Sequence, residues 1–384
     1  MIEDDKGRLT EQVAVQPGGL EPDNDTLMLA LDTSTPVLAA ALMRGGQLLG
    51  SVQSPAERNH SAHAVPAVDK LLREAGVDGS QLGGIAAGQG PGSYTGVRIA
   101  ASIAKTLAWT WGVPLLGVSS LESLAVGAWH AAQTARAGEA IADMDSVAGE
   151  PAAEQTPGAA LPLPMPNSWV VPLLDARRGQ VYTALFAAGG TAVSGQAPLG
   201  AGASAASGKV PHAAVASVAN VQAPLAADTS AANVQAQFAS DASVANGEAQ
   251  LAQAGAPLQA ASLPLNAPWS RLEPDGLRLA EPWAAALAER LEAVQPADRP
   301  EALVFTGDLD KHEAAIQQLE QLVSEKRLEV AVFRQPHTMD GGSVAWLGRR
   351  RLAGGEADDA HGFVPNYTQL AEAEAKLLEK PREA

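Results

Sequence analysis

One succession of short elements occurs twice along this chain, and no other feature restricts its fold as much. Leu27–Asp32 is an apolar run of strand length. Pro36–Met43 is a second, and Arg44-Gly45-Gly46-Gln47 makes a tight turn into a third, Leu48–Gln53. Ser61–Ala75 has helical spacing, with Ala64, Val65, Val68, Leu71 and Leu72 on one face and Gly76 as a stop. Gly84–Ala87 reads as a buried strand, Gly90–Gly96 as a glycine-rich turn, and Val97–Trp111 as a helix. Leu115–Val118 is a strand, and Ser119 or Ser120 is placed to cap a helix starting near Leu121. The order returns after residue 168. Trp169–Leu174 and Gln180–Phe186 pair across Asp175–Gly179, then Pro282–Val294 (helix), Leu303–Thr306 (strand), a helix over Asp308–Leu322 capped by Asp308, Leu328–Phe333 (strand), a Gly342–Ala353 helix and a last helix over Leu370–Glu379. Two successive units of β-meander plus crossover predict two α/β lobes of related architecture.

Three stretches break this pattern. Residues 1–26 hold seven Asp/Glu against Lys6 and Arg8. Residues 133–167 set Arg136 against five acids and close on Pro157, Pro162, Pro164 and Pro166. Residues 190–267 contain 26 Ala in 78 positions, one basic residue, Lys209, and a slipped repeat, Ala-Asn-Val-Gln-Ala at 219–223 and 232–236. No apolar period recurs there for neighbours to stack, so the repeat reads as an expanded linker rather than a solenoid. Together the three hold 139 of the 384 residues and −11 of the net charge of −17. The expected organisation is an acidic tail over 1–26, an N-terminal lobe over 27–132, an insert over 133–167, and a C-terminal lobe over 168–189 and 268–384 interrupted by the Ala-rich insert at 190–267.

Composition removes several functions. With no Cys there is no disulfide scaffold, Cys-ligated zinc, iron–sulfur cluster or thiol nucleophile. The acidity opposes a broad nucleic-acid surface working by counterion release. The start lacks a basic end and apolar centre, and the apolar run Ile99–Val118 is broken by Lys105 and Pro114, so neither a signal peptide nor a membrane span is expected and a cytoplasmic protein is.

The motifs leave readings open. Asp32-Thr33-Ser34-Thr35 ends the first strand, where it either holds a metal–phosphate group or satisfies turn backbone. Gly90-Pro91-Gly92-Ser93-Tyr94-Thr95-Gly96-Val97-Arg98 joins a strand to a helix N-terminus. It either binds phosphate or seats the helix close to the sheet, with Ser93 or Thr95 as cap. It has neither the Walker A ending nor dinucleotide spacing. His60 and His63 straddle a helix start without a His-Glu-x-x-His pattern, and the remaining His are scattered. Asp175-Ala176-Arg177-Arg178-Gly179 is either a hairpin with an internal salt bridge or an Arg pair offered to a phosphate or a partner's carboxylate.

Taken together, Leu29–Thr35, Arg58-Asn59-His60-Ser61, Gly90–Arg98 with Ala104-Lys105, Pro114–Leu124, Asp175–Tyr182, and Val364-Pro365-Asn366-Tyr367 with Glu372-Ala373-Glu374 resemble the bacterial TsaB family. That family is the dimerisation subunit of the complex forming threonylcarbamoyladenosine in tRNA. The resemblance covers about 27–130, 168–187 and 270–380. Thr368-Gln369 stands where the family often has Leu-Arg, and both inserts are atypical.

The resemblance implies a two-lobed actin/hexokinase-like fold with duplicated βββαβα units. It implies a non-catalytic scaffold with no cofactor or metal of its own. The partners it implies are the catalytic threonylcarbamoyltransferase paralogue, a small ATPase subunit, tRNA indirectly, and a second copy of the chain when the paralogue is absent. The paralogue's two metal-binding His fall by position on Ser120 and Leu124 here, and Leu has no lone pair to offer. The implied partner surface is His60, His63, Val65, Val68 and Leu72 on the first helix, with Thr95, Arg98, Ile99, Ser102 and Lys105 on the second. Asp32, Thr33, Ser34, Gly90, Gly92, Ser93 and Gly96 are the residues of a vestigial nucleotide or phosphate loop. The competing readings are an ATP-dependent phosphotransferase or ATPase of the same superfold, and a metallopeptidase-like protein.

Overall fold

A computed structural model describes residues 25–55, 60–145, 167–189 and 268–368. Residues 1–24 of the tail, 146–166 of the first insert, the whole of the second, Arg58-Asn59 and the expected helix at 370–379 lie outside the described residues. The N-terminal unit runs β1 (Leu27–Asp32), β2 (Val37–Arg44), β3 (Gln47–Pro55), α1 (His60–Ala75), β4 (Gly84–Gly88), α2 (Tyr94–Trp111), β5 (Leu115–Val118) and α3 (Ser120–Asp145). The C-terminal unit runs β6 (Asn167–Asp175), β7 (Gln180–Gly189), β8 (Trp269–Leu279), α4 (Ala280–Ala293), β9 (Ala302–Gly307), α5 (Leu309–Glu325), β10 (Ala331–Arg334) and α6 (Gly341–Ala353). Each unit builds a five-stranded sheet, ordered β3-β2-β1-β4-β5 and β8-β7-β6-β9-β10. In each, an antiparallel meander is extended by two parallel strands, and the two sheets match strand for strand.

Both faces of each sheet are covered, which explains the near-continuous apolar runs of β1, β2 and β6. Alternation divides them. Leu27, Leu29 and Leu31 face outward with Leu38, Ala40 and Leu42 into a core shared with α1 and α2. Met28, Ala30 and Ala39 face inward. In the second lobe, Trp169, Val171 and Leu173 pack outward with α4 and α5, while Val170 and Leu174 turn inward.

The two inner faces share a core through exchanged helices. α3, which follows the N-terminal sheet, packs on β6 and β7, and α6, which follows the C-terminal sheet, packs on β1, β2 and β4. Leu121, Leu124, Ala125 and Trp129 of α3 and Val344, Trp346 and Leu347 of α6 form one buried cluster with both sheets. Each large apolar side chain buried there contributes about 1.5–3 kcal/mol. Close approach of α6 needs small residues. A Cβ on Gly348 would lie 2.4 Å from that of Ala86, and one on Gly341 would lie 2.4 Å from the Ala40 carbonyl carbon.

After α6 the chain returns to the N-terminal lobe as a strap. Asp358 N–H donates to Leu115 O at 2.8 Å, and its carboxylate accepts from Gly117 N at 2.6 Å and from Arg351. Phe363 is buried over Gly117, and Asn366 N–H donates to Gln89 O at 2.7 Å. The strap covers the otherwise open edge of β5.

Several expectations change. α3 continues to Asp145, so the segment read as an insert from 133 begins inside a helix. β8 was not expected. α2 starts at Tyr94, placing Tyr94-Thr95-Gly96 in its first turn, and β10 is confined to Ala331–Arg334. Asp308 precedes α5 but does not cap it, because its carboxylate accepts Asp175 N–H at 2.8 Å instead. Among the described residues no helix is long and apolar enough to cross a membrane.

Gly348→Val is expected to lower stability by about 1–3 kcal/mol by lifting α6 off the sheet. Thermal melting of the purified variant checks this, and an unchanged midpoint would contradict the packing described.

Candidate functional site

The end of β1 and the glycine-rich turn fold onto each other. Thr33 Oγ1 donates to Gly96 O at 2.6 Å and accepts Ala100 N–H at 3.1 Å, tying the β1 end to the first turns of α2. Ser93 N–H donates to Ser34 O at 2.7 Å, and Ser93 Oγ accepts Gly96 N–H at 3.3 Å as the α2 cap. Gly90 and Ser120 are joined twice: Gly90 N–H donates to Ser120 Oγ, and Ser120 N–H to Gly90 O, each at 3.0 Å. The glycines are steric necessities. A Cβ on Gly96 would lie 1.8 Å from Thr33 O, one on Gly92 2.4 Å from Ser34 O, and one on Gly88 1.8 Å from Asp32 Oδ2. Gly90 and Gly92 also have positive φ.

Asp32 is fully buried at the centre. Its Oδ1 accepts Ser34 N–H at 2.6 Å, and its Oδ2 accepts from Ser120 Oγ–H at 2.6 Å. Burial pushes its pKa up, and the Ser120 hydrogen bond opposes this only in part. The two turns that carry Asp32, Thr33, Ser34, Gly90, Gly92, Ser93 and Gly96 are thus brought together. Their donors at the Asp32 carboxylate, at Ser34 O and at the α2 cap are spent on one another, the close-packing alternative for this motif.

The second lobe faces this assembly across a cleft of about 950 Å³, lined by Ser34, Thr35, His60, Ser93 and Tyr94 on one side and by Asp175–Arg178, Tyr182 and Lys311 on the other. Of the two readings of the Asp175–Gly179 hairpin, the internal salt bridge does not form among the described residues. Asp175 accepts Arg177 N–H at 3.0 Å and pairs with Lys311 at 3.2 Å. Although partial burial raises its pKa, the Arg177 N–H and Lys311 hold it below the ordinary carboxylate value. Arg177 and Arg178 are exposed, with φ of +66° and +54°, and Gly179 completes the left-handed run at +72°.

The expected partner surface separates into three groups. His63, Val65, Thr95 and Ser102 are exposed, and Ile99 is half-buried. His60, Val68 and Leu72 are buried in their own lobe, Val68 and Leu72 in the α1–α2 core and His60 with Nε2 against Thr35 O at 3.1 Å. These three are corrected from partner contacts to internal ones, because the buried stripe of α1 passes through Ala64, Ala67, Val68, Leu71 and Leu72 and leaves Val65 outside. Arg98 and Lys105 are engaged by the strap. Arg98 stacks on Tyr94 and reaches the Tyr367 hydroxyl at 2.9 Å, while Lys105 Nζ donates to His361 O and Phe363 O, each at 3.0 Å. Ser120 and Leu124, the positions corresponding to the paralogue's metal-binding His, hold Asp32 and the inter-lobe core. Among the described residues no cluster of three or more His, Asp or Glu suits a metal ion.

The duplicated sheets, the exchanged helices and the cleft define a two-lobed α/β protein of the actin/hexokinase-like class. The family model for the tRNA N6-adenosine threonylcarbamoyltransferase TsaD matches residues 48–137. The tRNA threonylcarbamoyladenosine biosynthesis protein TsaB of Bacillus subtilis is 26% identical over 356 residues, 92% of this chain and 99% of that protein. Its counterpart in Haemophilus influenzae is 37% identical over 103 residues, 27% of this chain and 43% of that protein. Among solved structures, a Pseudomonas aeruginosa protein described as similar to the peptidase YeaZ aligns with a TM-score of 0.49 at 19% identity, covering 90% of this chain and all of that one. The chain is similar to TsaB proteins, to one of them along nearly its whole length.

Ser120→Ala is expected to cost about 1–3 kcal/mol, because it leaves Gly90 N–H and Asp32 Oδ2 without their partner. Asp32→Asn keeps an acceptor for Ser34 N–H and offers a donor to Ser120, so it should fold. A carboxyl whose folded pKa is raised loses stability as pH rises from its unfolded value through its folded one. The stability of Asp32→Asn relative to the parent should therefore increase from pH 4 to 7 in denaturant titrations. A difference that stays flat over that range would show that Asp32 titrates normally.

Proposed function

We propose that this protein is a non-catalytic scaffold subunit of the system that makes N6-threonylcarbamoyladenosine beside the anticodon of tRNAs reading A-starting codons. Its α1–α2 face would hold the catalytic threonylcarbamoyltransferase. The observation that carries this reading is the exposure on those helices: Trp109 is 70% exposed and Val65 42%, and His63, Ser102 and Thr106 are exposed as well. Large apolar side chains at that exposure on adjacent helices suit a partner's helices. The transferase model matches residues 48–137, a segment that contains both helices. A partner with a similar face would form a pseudo-symmetric four-helix contact, and a second copy of this chain would take its place when that partner is missing. The small ATPase subunit and tRNA would join through the assembly, in the cytoplasm.

The enzyme readings are less well supported. The glycine turn has spent its central donors on Asp32, Ser34 and the α2 cap, which disfavours an ATPase using that loop. Ser120 and Leu124 are committed to packing, which disfavours a metallopeptidase centre.

Trp109→Glu combined with Val65→Glu should leave the melting temperature nearly unchanged while weakening association with the purified transferase by about tenfold or more. Size exclusion and calorimetry read both effects. Association that survives the double substitution would reject this face, and no association of the parent chain would reject the scaffold reading.

A further inference from the structure

A buried histidine stands next to the β6–β7 turn. His312, in the first turn of α5, is 5% exposed, and its Nε2 has no hydrogen-bond partner. Asp175 Oδ1 lies 3.8 Å from that nitrogen, too far for a hydrogen bond. Buried polar atoms are rarely left so, because each loses its hydration without compensation. Burial pushes the His312 pKa below that of a free imidazole, against the attraction of Asp175 and Asp308. The ring is therefore neutral at pH 7.

The same carboxylate oxygen holds the tip of the hairpin. Asp175 Oδ1 accepts Arg177 N–H at 3.0 Å. Arg177 and Arg178 stand in left-handed backbone, at φ of +66° and +54°. Residues other than glycine keep that conformation only where their surroundings hold them in it. The rest of Asp175 is fixed elsewhere: its Oδ2 pairs with Lys311 at 3.2 Å, and its N–H donates to Asp308 at 2.8 Å. The charges that act on His312 are thus Asp175 at the end of β6, Asp308 after β9, and Lys311 on its own helix. Among the described residues α4, which also packs on α5, adds no charge to this set.

We propose that His312 is a proton-operated catch for the Arg177–Arg178 tip. Once protonated, its Nε2–H is a charged donor, and closing 3.8 Å to a charge-assisted bond of about 2.8 Å moves Asp175 Oδ1 by roughly 1 Å. The imidazole is buried and the carboxylate is 22% exposed, so the carboxylate is the group that moves. Arg177 N–H then loses its acceptor, and the tip leaves its left-handed conformation. The tip is held at neutral pH and released in acid. The sign agrees with linkage: a histidine whose folded pKa is lowered adds stability above its unfolded value, and that stability is lost as pH falls through the folded one. The device lies within the second lobe and uses no residue of the α1–α2 face, so it is independent of the scaffold reading.

Amide hydrogen exchange of the full chain, followed by mass spectrometry from pH 7.5 to 5 and normalised for the intrinsic rate, tests the catch. The segment 175–180 should exchange about fivefold or more faster at pH 5 than at pH 7.5, while β9 stays protected. His312→Leu and His312→Gln, which carry no titrating ring, should each abolish that difference. Asp175→Ala should exchange fast at both pH values. His63→Gln, at an exposed position on α1, should behave as the parent. Followed by NMR, the His312 ring should titrate below the value of free histidine. No rise in the parent, a rise that persists without the His312 ring, an Asp175→Ala tip as protected as the parent's, or a ring that titrates at or above the free value would overturn the proposal.

Discussion

The exchange of α3 and α6 between the lobes is the packing constraint on which the rest of the molecule depends. Each helix follows one sheet and buries its apolar stripe on the other, so neither lobe completes its inner core without its neighbour. This requirement explains why the inner positions of the N-terminal sheet are small, Ala30, Ala39 and Ala86, and why α6 carries Gly341 and Gly348 where it meets that sheet. It also explains the strap. A chain leaving α6 next to the N-terminal sheet lies within reach of β5, whose open edge Asp358 and Phe363 then cover.

The same economy governs the site. The Asp32–Ser34 turn and the Gly90–Gly96 turn would present donors to a phosphate if they stood apart. In the folded lobe they are pressed together: Thr33 Oγ1 donates to Gly96 O, Ser93 N–H donates to Ser34 O, and Ser120 Oγ accepts Gly90 N–H. The close approach that needs Gly88, Gly92 and Gly96 is the reason those donors are occupied. On the other lobe, Arg177 and Arg178 line the same cleft, and neither forms an ion pair among the described residues.

Strands and helices with an apolar period were legible because burial on both faces leaves a continuous or strictly spaced signal. β1, β5 and α6 follow their sequence ranges within a residue or two. β8 was hidden because Trp269–Leu279 carries Arg271, Glu273, Asp275 and Arg278 around Pro274, a composition that reads as a solvated loop. Those charges are tolerated in a strand only because Arg290 of α4 pairs with Glu273, and Glu122 of α3 with Arg271, across more than a hundred residues in the second case. Val68 and Leu72 were misread for a related reason. An apolar residue on a helix has the same spacing whether it meets its own sheet or a partner, and the stripe that α1 buries was decided by β2 and β3.

The amino-acid sequence by itself determined most of the duplicated order of elements and the places where the chain has to turn. Those properties are local: they depend on side-chain period and on φ. Tertiary structure alone decided which sheet each central helix covers, which donors of the glycine turn are spent, and which positions are too crowded for any residue but glycine. These depend on contacts between residues far apart in the chain, where a hydrogen bond or a buried charge is stabilised only by a partner that folding brings within a few ångströms.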